Sequence, residues 1–235
     1  MRRTMLLSIV SLLISAVAAQ AQTAPLTITS SSLLPNGTRG VFYSSTFLAS
    51  GGTAPYRWSI VGPSASPPPA GLSINSSTGV LSGTISGAAG TYSFTVVVWD
   101  STVGPTVFSA SKTFAITVVE PPALSITTAS PLPPATAGTP YTTSLTATGG
   151  TNKTSFTWSQ YVDVPPAGCG GMLPPGLTIT GRAGSGVLTG TPTAPGSYKF
   201  CVQALDPNPS VTQSSVKLFS MTVNGAPSTQ RMRQS

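Results

Sequence analysis

Hydrophobic and polar positions alternate along most of this chain in short runs. In the segment TYSFTVVVWD, one face of an extended strand carries four apolar side chains, those of Tyr92, Phe94, Val96 and Val98. Alternation with a period of two residues is typical of a half-buried β-strand. The segment therefore predicts a strand whose Tyr92 face points into a hydrophobic core.

Six further runs in the first half of the chain have strand character and are separated by Gly, Pro, Asn and Ser. They cover residues 26–28, 47–49, 56–60, 72–74, 80–82 and 114–118. No run shows the 3.6-residue period of an amphipathic helix. Seven short strands in one half of the chain predict an all-β fold of the immunoglobulin-like sandwich type.

The second half of the chain repeats the first. The segment LTITSSSLLPNGTRGVFYSSTF, which starts at Leu26, aligns with LSITTASPLPPATAGTPYTTSL, which starts at Leu124, and Asp100 later aligns with Asp206. A repeat of this length predicts two tandem domains, at residues 22–119 and 124–224. Residues 120–123 form the predicted linker, which Pro121 and Pro122 stiffen by fixing φ.

The N-terminus has the pattern of a secretory signal peptide. Arg2 and Arg3 precede the apolar run MLLSIVSLLISAVAA, and small residues follow up to Ala21. This pattern predicts a signal peptide at residues 1–21, with an uncleaved N-terminal anchor as the alternative. No later run reaches the roughly 18 to 20 apolar residues of a spanning helix. We therefore expect a secreted, periplasmic or surface-associated chain with a disordered tail at residues 225–235.

Composition narrows the classes of partner. Hydrophobic residues make up 40% of the chain, which is too many for a disordered protein of this low charge. The net charge is +7, but the Lys and Arg residues are scattered singly rather than grouped on one face. Nucleic-acid binding needs such grouping, so we expect no nucleic-acid partner.

Several motifs together are similar to a known family. The ordered set GGTAPYRWS, GL, TGVLSGT, GTYSFTVVVWD and KTFAITV resembles the bacterial Putative Ig domain, an Ig-like or cadherin-like sandwich found in tandem in exported proteins. The resemblance covers nearly all of both halves. It implies a role in adhesion, spacing or display, with no catalytic residues.

The segment GSGVLTGTPTAPG has the glycine density of a phosphate-binding loop. Such a loop follows a strand and opens a helix, and the following Thr191-Pro192-Thr193 cannot begin a stable helix. The first copy also has no glycine at the position of Gly184. The segment therefore predicts a strand-turn-strand corner, with Gly186, Gly190 and Gly196 at turn and strand-end positions.

Two cysteines, Cys169 and Cys201, both belong to the second copy. Cys201 lies between Phe200 and Val202, so its side chain points away from the core face. Cys169 lies in a loop, residues 162–174, that is longer than its counterpart in the first copy. In an oxidising compartment, this placement predicts a Cys169–Cys201 disulfide that pins the loop over the outer face of the strand. Free thiols or an intermolecular pair are the alternatives.

Catalytic and metal-binding signals are weak. The chain has no histidine, and Asp100 and Asp206 are counterparts in different domains, each ending a strand where a turn role is expected. Cadherin-like domains bind calcium at their junctions, which makes Glu120 and Asp206 the calcium candidates. Calcium takes six to eight oxygen ligands, however, and no cluster of acids supplies them. We expect no enzyme activity and no obligatory cofactor.

Aromatic residues offer a second functional hypothesis. Trp99 has the parity opposite to Val98 and therefore lies with Val97 on the outer face of its strand, where it can bind a sugar or a protein partner. Burial of Trp99 under the 101–111 loop or against the neighbouring domain is the alternative. The sequence thus predicts an exported adhesion, spacing or interaction module, with a carbohydrate-binding accessory module or a calcium-rigidified adhesin as alternatives. The identity of a protein or glycan ligand and the oligomeric state do not follow from it.

Overall fold

A computed structural model describes residues 24–61, 67–102, 108–151, 156–162, 169–182 and 184–227. Every regular element in these ranges is a β-strand, which confirms the all-β prediction. No helix in this part of the chain is long and apolar enough to cross a membrane. The predicted signal peptide and residues 228–235 of the predicted tail lie outside the described residues.

In its described residues, the first domain contains nine strands: β1 (Thr27–Ile28), β2 (Gly37–Thr38), β3 (Phe42–Thr46), β4 (Ala49–Ser50), β5 (Arg57–Val61), β6 (Ser73–Ile74), β7 (Val80–Thr84), β8 (Gly90–Trp99) and β9 (Ser109–Val119). One sheet has the order β2-β9-β8-β5, and β3-β7-β6 with the β1-β4 pair form the opposite side. All pairs are antiparallel except β2 with β9. The chain before β3 therefore contributes to both sheets of an Ig-like sandwich, because β1 pairs with β4 and β2 pairs with β9.

The described part of the second domain repeats this plan with eight strands: β10 (Ser125–Ile126), β11 (Ala135–Thr136), β12 (Tyr141–Thr148), β13 (Thr157–Tyr161), β14 (Leu177–Arg182), β15 (Ser185–Gly190), β16 (Gly196–Asp206) and β17 (Gln213–Asn224). Its sheets have the orders β11-β17-β16-β13 and β10-β12-β15-β14. The two halves predicted from the repeat are thus two sandwiches of the same topology.

Each domain has its own hydrophobic core. Phe94, Val96 and Val98 are buried in the first core, as the alternation predicts, and Tyr92 packs half-buried against it. Phe200, Val202 and Ala204 take the same positions in the second core. Full burial of one such side chain stabilises a domain by about 1.5–3 kcal/mol. Two separate cores therefore explain why the sequence repeat corresponds to two folding units.

The strand prediction missed β2 and β3 and gave β9 too short, and it differs most from the structure around Phe47. The predicted strand at residues 47–49 is replaced by β3 and β4, which end and begin on either side of Phe47. At Phe47 the chain stops pairing with β7 and begins to pair with β1, while the Phe47 ring stays buried. In the second domain the equivalent strand, β12, is continuous and pairs with both β15 and β10. The alternation of apolar and polar residues predicts that Phe47 is buried, but it does not predict that the chain changes its partner strand there.

Gly186 has a packing role rather than the predicted turn role. It lies inside β15, paired with Leu145 and Gly181, whereas Gly190 and Gly196 do lie at strand ends. A Cβ atom on Gly186 would be 2.7 Å from the indole of Trp158, and one on Gly79 would be 2.8 Å from the indole of Trp58. In both copies a buried indole leaves no room for a Cβ atom at this glycine, and Gly79 also has a φ of +69°, which favours glycine.

Candidate functional site

The Cys169–Cys201 disulfide is present, as predicted. The two Cα atoms are 5.0 Å apart, and both side chains are buried although Cys201 faces away from the core. The loop segment that begins at Cys169 covers the strand from outside, so an outward-facing position becomes buried. The bond closes a sequence separation of 32 residues.

The loop after Cys169 is also held by polar and packing contacts. The side-chain amide of Gln160 donates to the carbonyl oxygen of Gly171 at 3.2 Å. A Cβ atom on Gly171 would be 1.8 Å from the carbonyl oxygen of Lys199, so only glycine fits this approach. Leu173 then packs against the core. Residues 169–173 are therefore fixed along the sheet edge, whereas 163–168 of the predicted loop lie outside the described residues.

The outer faces of the two domains differ around this loop. In the second domain, Tyr161, Cys201 and Leu218 stand opposite one another on β13, β16 and β17. Leu218 is 41% exposed, and it lies with Tyr161 on either side of Cys201 on the outer face. Val162, which follows β13, and Met172, whose sulfur contacts the Gln160 amide, are 59% and 67% exposed.

The first domain carries polar residues at two of the three corresponding positions, and at the third, the place of Tyr161, it has Val61, which is 39% exposed. Thr95 of β8 and Thr113 of β9 take the places of Cys201 and Leu218, and their hydroxyl groups are 3.2 Å apart in a hydrogen bond. A second threonine pair, Thr91 with Thr117, follows on the same face. The disulfide and the exposed Leu218 are therefore specific to the second domain, whereas an apolar residue at the place of Tyr161 is common to both.

Trp99 and Val97 lie on the outer face of β8, as their parity predicts, and both are half-buried. Trp99 stands opposite Arg57 on β5 and Ser109 on β9. An indole beside a guanidinium on a sheet surface can bind a planar or sugar-like ligand. The partial exposure leaves both predicted alternatives for Trp99 open.

Asp100 joins two loops at the end of the first domain. Its carboxylate accepts hydrogen bonds from the Thr102 hydroxyl, at 2.5 Å, and from the backbone N–H groups of Thr53, Thr102 and Phe108. The Thr102 hydroxyl and, after it, these N–H groups lower the pKa of Asp100, whereas burial acts in the opposite direction. Asp100 therefore has the expected turn role and also an unpredicted role in holding Thr53, which is distant in sequence.

The calcium candidates have protein partners in the structure. Asp206 is fully buried and accepts hydrogen bonds from the Thr151 backbone N–H, at 2.6 Å, and from the Thr151 hydroxyl, at 2.7 Å. Glu120 forms an ion pair with Arg39 at 3.3 Å. Within the described ranges, no three metal-ligating side chains of the His, Cys, Asp or Glu type come together. These oxygen atoms bind the protein's own donors.

The end of the second domain that carries Asp206 also contacts the first domain. The side-chain amide of Asn208 donates to the carbonyl oxygen of Gly40 at 2.8 Å, and Gly150 donates to the linker carbonyl of Pro122 at 2.8 Å. With the Arg39–Glu120 ion pair, these contacts form what we call the domain junction. The junction joins the turn between β2 and β3 to the loop between β16 and β17.

The structure also shows a pair of lysines that the sequence patterns did not identify. Lys112 donates to the carbonyl oxygen of Ser30 at 2.5 Å, and Lys217 donates to that of Thr128 at 2.5 Å. Each ammonium group also lies 5.8–5.9 Å from the ring of a phenylalanine two residues along the strand. The recurrence of a Lys-x-Phe pattern in the last strand of each copy is the signal that could have revealed them.

Two domains of Ig-like topology in tandem, each with its own core, define the chain as a tandem Ig-like module protein. A family model described as Putative Ig domain matches residues 24–119 and again residues 123–224. The chain therefore belongs to the Putative Ig domain family and contains two copies of the domain.

Matching solved structures include an endo-fucoidan hydrolase from glycoside hydrolase family 107, a chimeric titin Z1Z2 and mouse cadherin-23 EC22-24. Their sequence identities to this chain are 20%, 15% and 13%, and their TM-scores are 0.39, 0.46 and 0.35. The matches cover 86%, 88% and 86% of this chain and 29%, 99% and 65% of the respective structures. The chain thus spans less than a third of the hydrolase it matches. No curated protein sequence matches the chain.

Proposed function

We propose that this protein is an exported, non-catalytic module that acts in adhesion, spacing or protein interaction at the bacterial cell surface. In this proposal, residues 22–119 and 124–224 are the two domains, and residues 120–123 connect them. The observation that carries the spacing role is the domain junction, in which Asn208 binds Gly40 and Arg39 binds Glu120. Contacts on both sides of a short proline-containing linker restrict the angle between two domains.

Two further features support export and a non-catalytic role. A buried disulfide persists in oxidising compartments, which agrees with the predicted signal peptide. Asp100, Glu120 and Asp206 all bind neighbouring protein groups, so these carboxylates serve the fold. This use of the acids favours a binding surface over acid–base chemistry.

The spacing role is tested by the relative motion of the two domains. We expect NMR relaxation of the wild-type protein to give one overall tumbling time for both domains, because the junction holds them together. Asn208→Ala removes the donor to Gly40 and should give each domain a shorter tumbling time of its own. Separate tumbling times already present in the wild type would refute the spacing role.

Asn75→Ala is the matched control. Asn75 accepts hydrogen bonds from the N–H groups two and three residues ahead, at Ser77 and Thr78. Asn208 makes the same local turn with Ser210 and Val211 but also reaches Gly40. Both alanine variants lose a local turn, and Asn208→Ala alone loses the contact between domains. Equal effects on tumbling would show that the contact does not hold the domains together.

A carbohydrate-binding accessory role is the second candidate, because Trp99 lies half-buried on an outer sheet face beside Arg57. A glycan array should then give binding that Trp99→Ala removes and that Leu48→Ser, at an exposed site in the same domain, leaves intact. Glycan binding that persists in Trp99→Ala would exclude Trp99 as the sugar-binding residue.

A further inference from the structure

The outer face of the four-stranded sheet in the first domain carries an arginine and a tryptophan that the second domain lacks. Arg57 of β5 stands opposite Trp99 of β8, and both side chains have outward parity. The corresponding positions of the second domain hold Thr157 and Leu205, which are paired in the same way. The shared fold therefore requires neither an indole nor a guanidinium at these positions.

Short hydroxyl side chains surround this pair on the same face. Trp99 is paired with Ser109 of β9. Val97, the next outward residue of β8, is paired with Ser59 of β5 and with Ser111 of β9. Opposite residues lie about 5 Å apart across strands, and alternate residues lie about 7 Å apart along a strand, so these side chains form one continuous surface. We call this surface the indole face, and its members are Arg57, Ser59, Val97, Trp99, Ser109 and Ser111.

The indole face lies at the end of the first domain that is farther from the second domain. Gly90, the first residue of β8, is paired with Val118, close to the linker. Trp99 is the last residue of this ten-residue strand, so it lies about 30 Å away from Gly90. The contact with the second domain is made at Gly40, which follows the strand paired with Val118. The domain junction and the indole face are therefore at opposite ends of the first sandwich.

The charge of the indole face selects the class of ligand. Asp100 and Glu120 are the two acids of the first domain and the linker, and both already bind protein groups. The segments 62–66 and 103–107, whose structure lies outside the described residues, contain no charged residue. The first domain thus offers no further carboxylate to the exposed Arg57, wherever these two segments lie. The positive charge of Arg57 therefore favours an anionic ligand.

We propose that the indole face binds an acidic polysaccharide. A sugar ring lies on the indole of Trp99, its carboxylate or sulfate group contacts Arg57, and its hydroxyl groups bind the neighbouring serines. A flat face of short side chains suits an extended polyhydroxylated chain, whereas a peptide is more often bound in a groove or along a sheet edge. This inference rests on the carbohydrate-binding role, the second candidate above, and it adds the class of sugar. It does not depend on the domain junction.

The test is a calorimetric titration of the intact protein with two acidic polymers and their neutral counterparts. The polymers are polygalacturonate, its methyl-esterified form, dextran sulfate and dextran. We expect binding of polygalacturonate, of dextran sulfate or of both, and no binding of the two neutral polymers, because only the acidic ones present an anion to Arg57. The carboxylated and the sulfated polymer distinguish the two sources of negative charge. The affinity should fall as the salt concentration rises.

Two variants that install the residues of the second domain test the indole face itself. Trp99→Leu and Arg57→Thr should each weaken binding of the acidic polymer about tenfold, and Arg57→Thr should also reduce its dependence on salt. Circular dichroism should show both variants folded, since the second domain carries leucine and threonine in the same pairing. Lys199→Thr is the control, because it removes one positive charge from an exposed position of the second domain. Its affinity should equal that of the wild type.

Several results would overturn the proposal. No binding of either acidic polymer would reject it, and the glycan array would then show whether the carbohydrate-binding role fails with it. Equal binding of acidic and neutral polymers that Trp99→Leu removes would reject the acidic class and keep the carbohydrate-binding role. Equal losses in Lys199→Thr and Arg57→Thr would assign the binding to the overall positive charge of the chain. Binding of polyglutamate that both Trp99→Leu and Arg57→Thr weaken would assign the face to acidic protein segments instead.

Discussion

The side-chain amide of Asn208 in the second domain donates a hydrogen bond to the carbonyl oxygen of Gly40 in the first. Gly40 is buried and has a φ of +79°, and a Cβ atom there would lie 2.9 Å from Thr151 and 3.0 Å from Asn208. Its counterpart Gly138 has a φ of +80° but no atom within 4 Å of the same position. The two glycines therefore share a conformation, and only Gly40 has a neighbouring domain.

A comparison of Gly40→Ala with Gly138→Ala should distinguish the cost of backbone strain from the loss of the contact between the two domains. Each places a side chain in the left-handed region, which costs roughly 1–2 kcal/mol of the unfolding free energy of its own domain. Only Gly40→Ala should also uncouple domain tumbling, because its methyl group displaces Thr151 and Asn208. Calorimetry and NMR relaxation check the two effects. Uncoupled domains in Gly138→Ala would contradict the assignment of the junction.

Removal of the disulfide should destabilise the second domain alone. Loop-closure entropy gives the Cys169–Cys201 bond about 3–4 kcal/mol of stabilisation. The double variant Cys169→Ala/Cys201→Ala should therefore lower one of two calorimetric transitions and leave the other unchanged. The first domain has no cysteine, so its transition is an internal control. A single transition that shifts as a whole would mean that the two domains unfold as one unit, and would contradict this prediction.

The stability of the first domain should depend on the ionisation of Asp100. The pKa of Asp100 is lowered in the folded protein by the Thr102 hydroxyl and three backbone N–H groups. Its contribution is therefore fully present above the unfolded-state pKa of about 3.9 and is lost as the pH falls through the lower folded-state pKa.

Denaturant titrations from pH 7 to pH 2 check this dependence. Asp100→Asn should be less stable than the wild type at pH 7. The difference between the two should begin to shrink below about pH 4, where the carboxylate of the unfolded wild type becomes protonated, and should reach its minimum below the lower pKa of the folded protein. A difference that stays constant over this range would show that ionisation of Asp100 does not stabilise the fold.

Lys112 and Lys217 should stabilise the two domains, because each holds the N-terminal part of its own domain against the last strand. Lys112→Met and Lys217→Met keep the length of the side chain but remove the donor to Ser30 or Thr128. We expect a loss of about 1.5–3 kcal/mol in the affected domain, the usual value of a hydrogen bond from a charged group. Thermal unfolding measures it, with Lys199→Met, at an exposed position, as the control. A loss of the same size in Lys199→Met would contradict the role of the donor.

Calcium should not change the stability of the protein. Both Asp206 and Glu120 already bind protein donors, and the described residues bring no third acidic ligand to them. The unfolding temperature should therefore be equal in millimolar calcium and in excess chelator. A rise in calcium that Asp206→Asn abolishes would restore the calcium-rigidified adhesin as the better hypothesis.

The sequence predicted the features that depend on local alternation and on the repeat. It identified the buried face of β8 and β16, because inward and outward side chains alternate in any strand. It also identified the disulfide, because Cys201 has outward parity and Cys169 lies in the longer loop. The parity of Trp99 predicts that its side chain lies on the outer face of β8. It does not predict that Trp99 is half-buried, since exposure depends on what covers that face.

The sequence by itself determined the all-β class, the two copies and the pairing of the cysteines, since period-two patterns and repeats are properties of the chain. Only the tertiary structure decided the contacts between distant segments. Gly186 lies under Trp158, Asn208 reaches Gly40 and Lys112 reaches Ser30 because folding brings together residues whose separation in sequence carries no signal of their distance in space. The row of Tyr161, Cys201 and Leu218 is a further example, because these residues become neighbours only when β13, β16 and β17 pair.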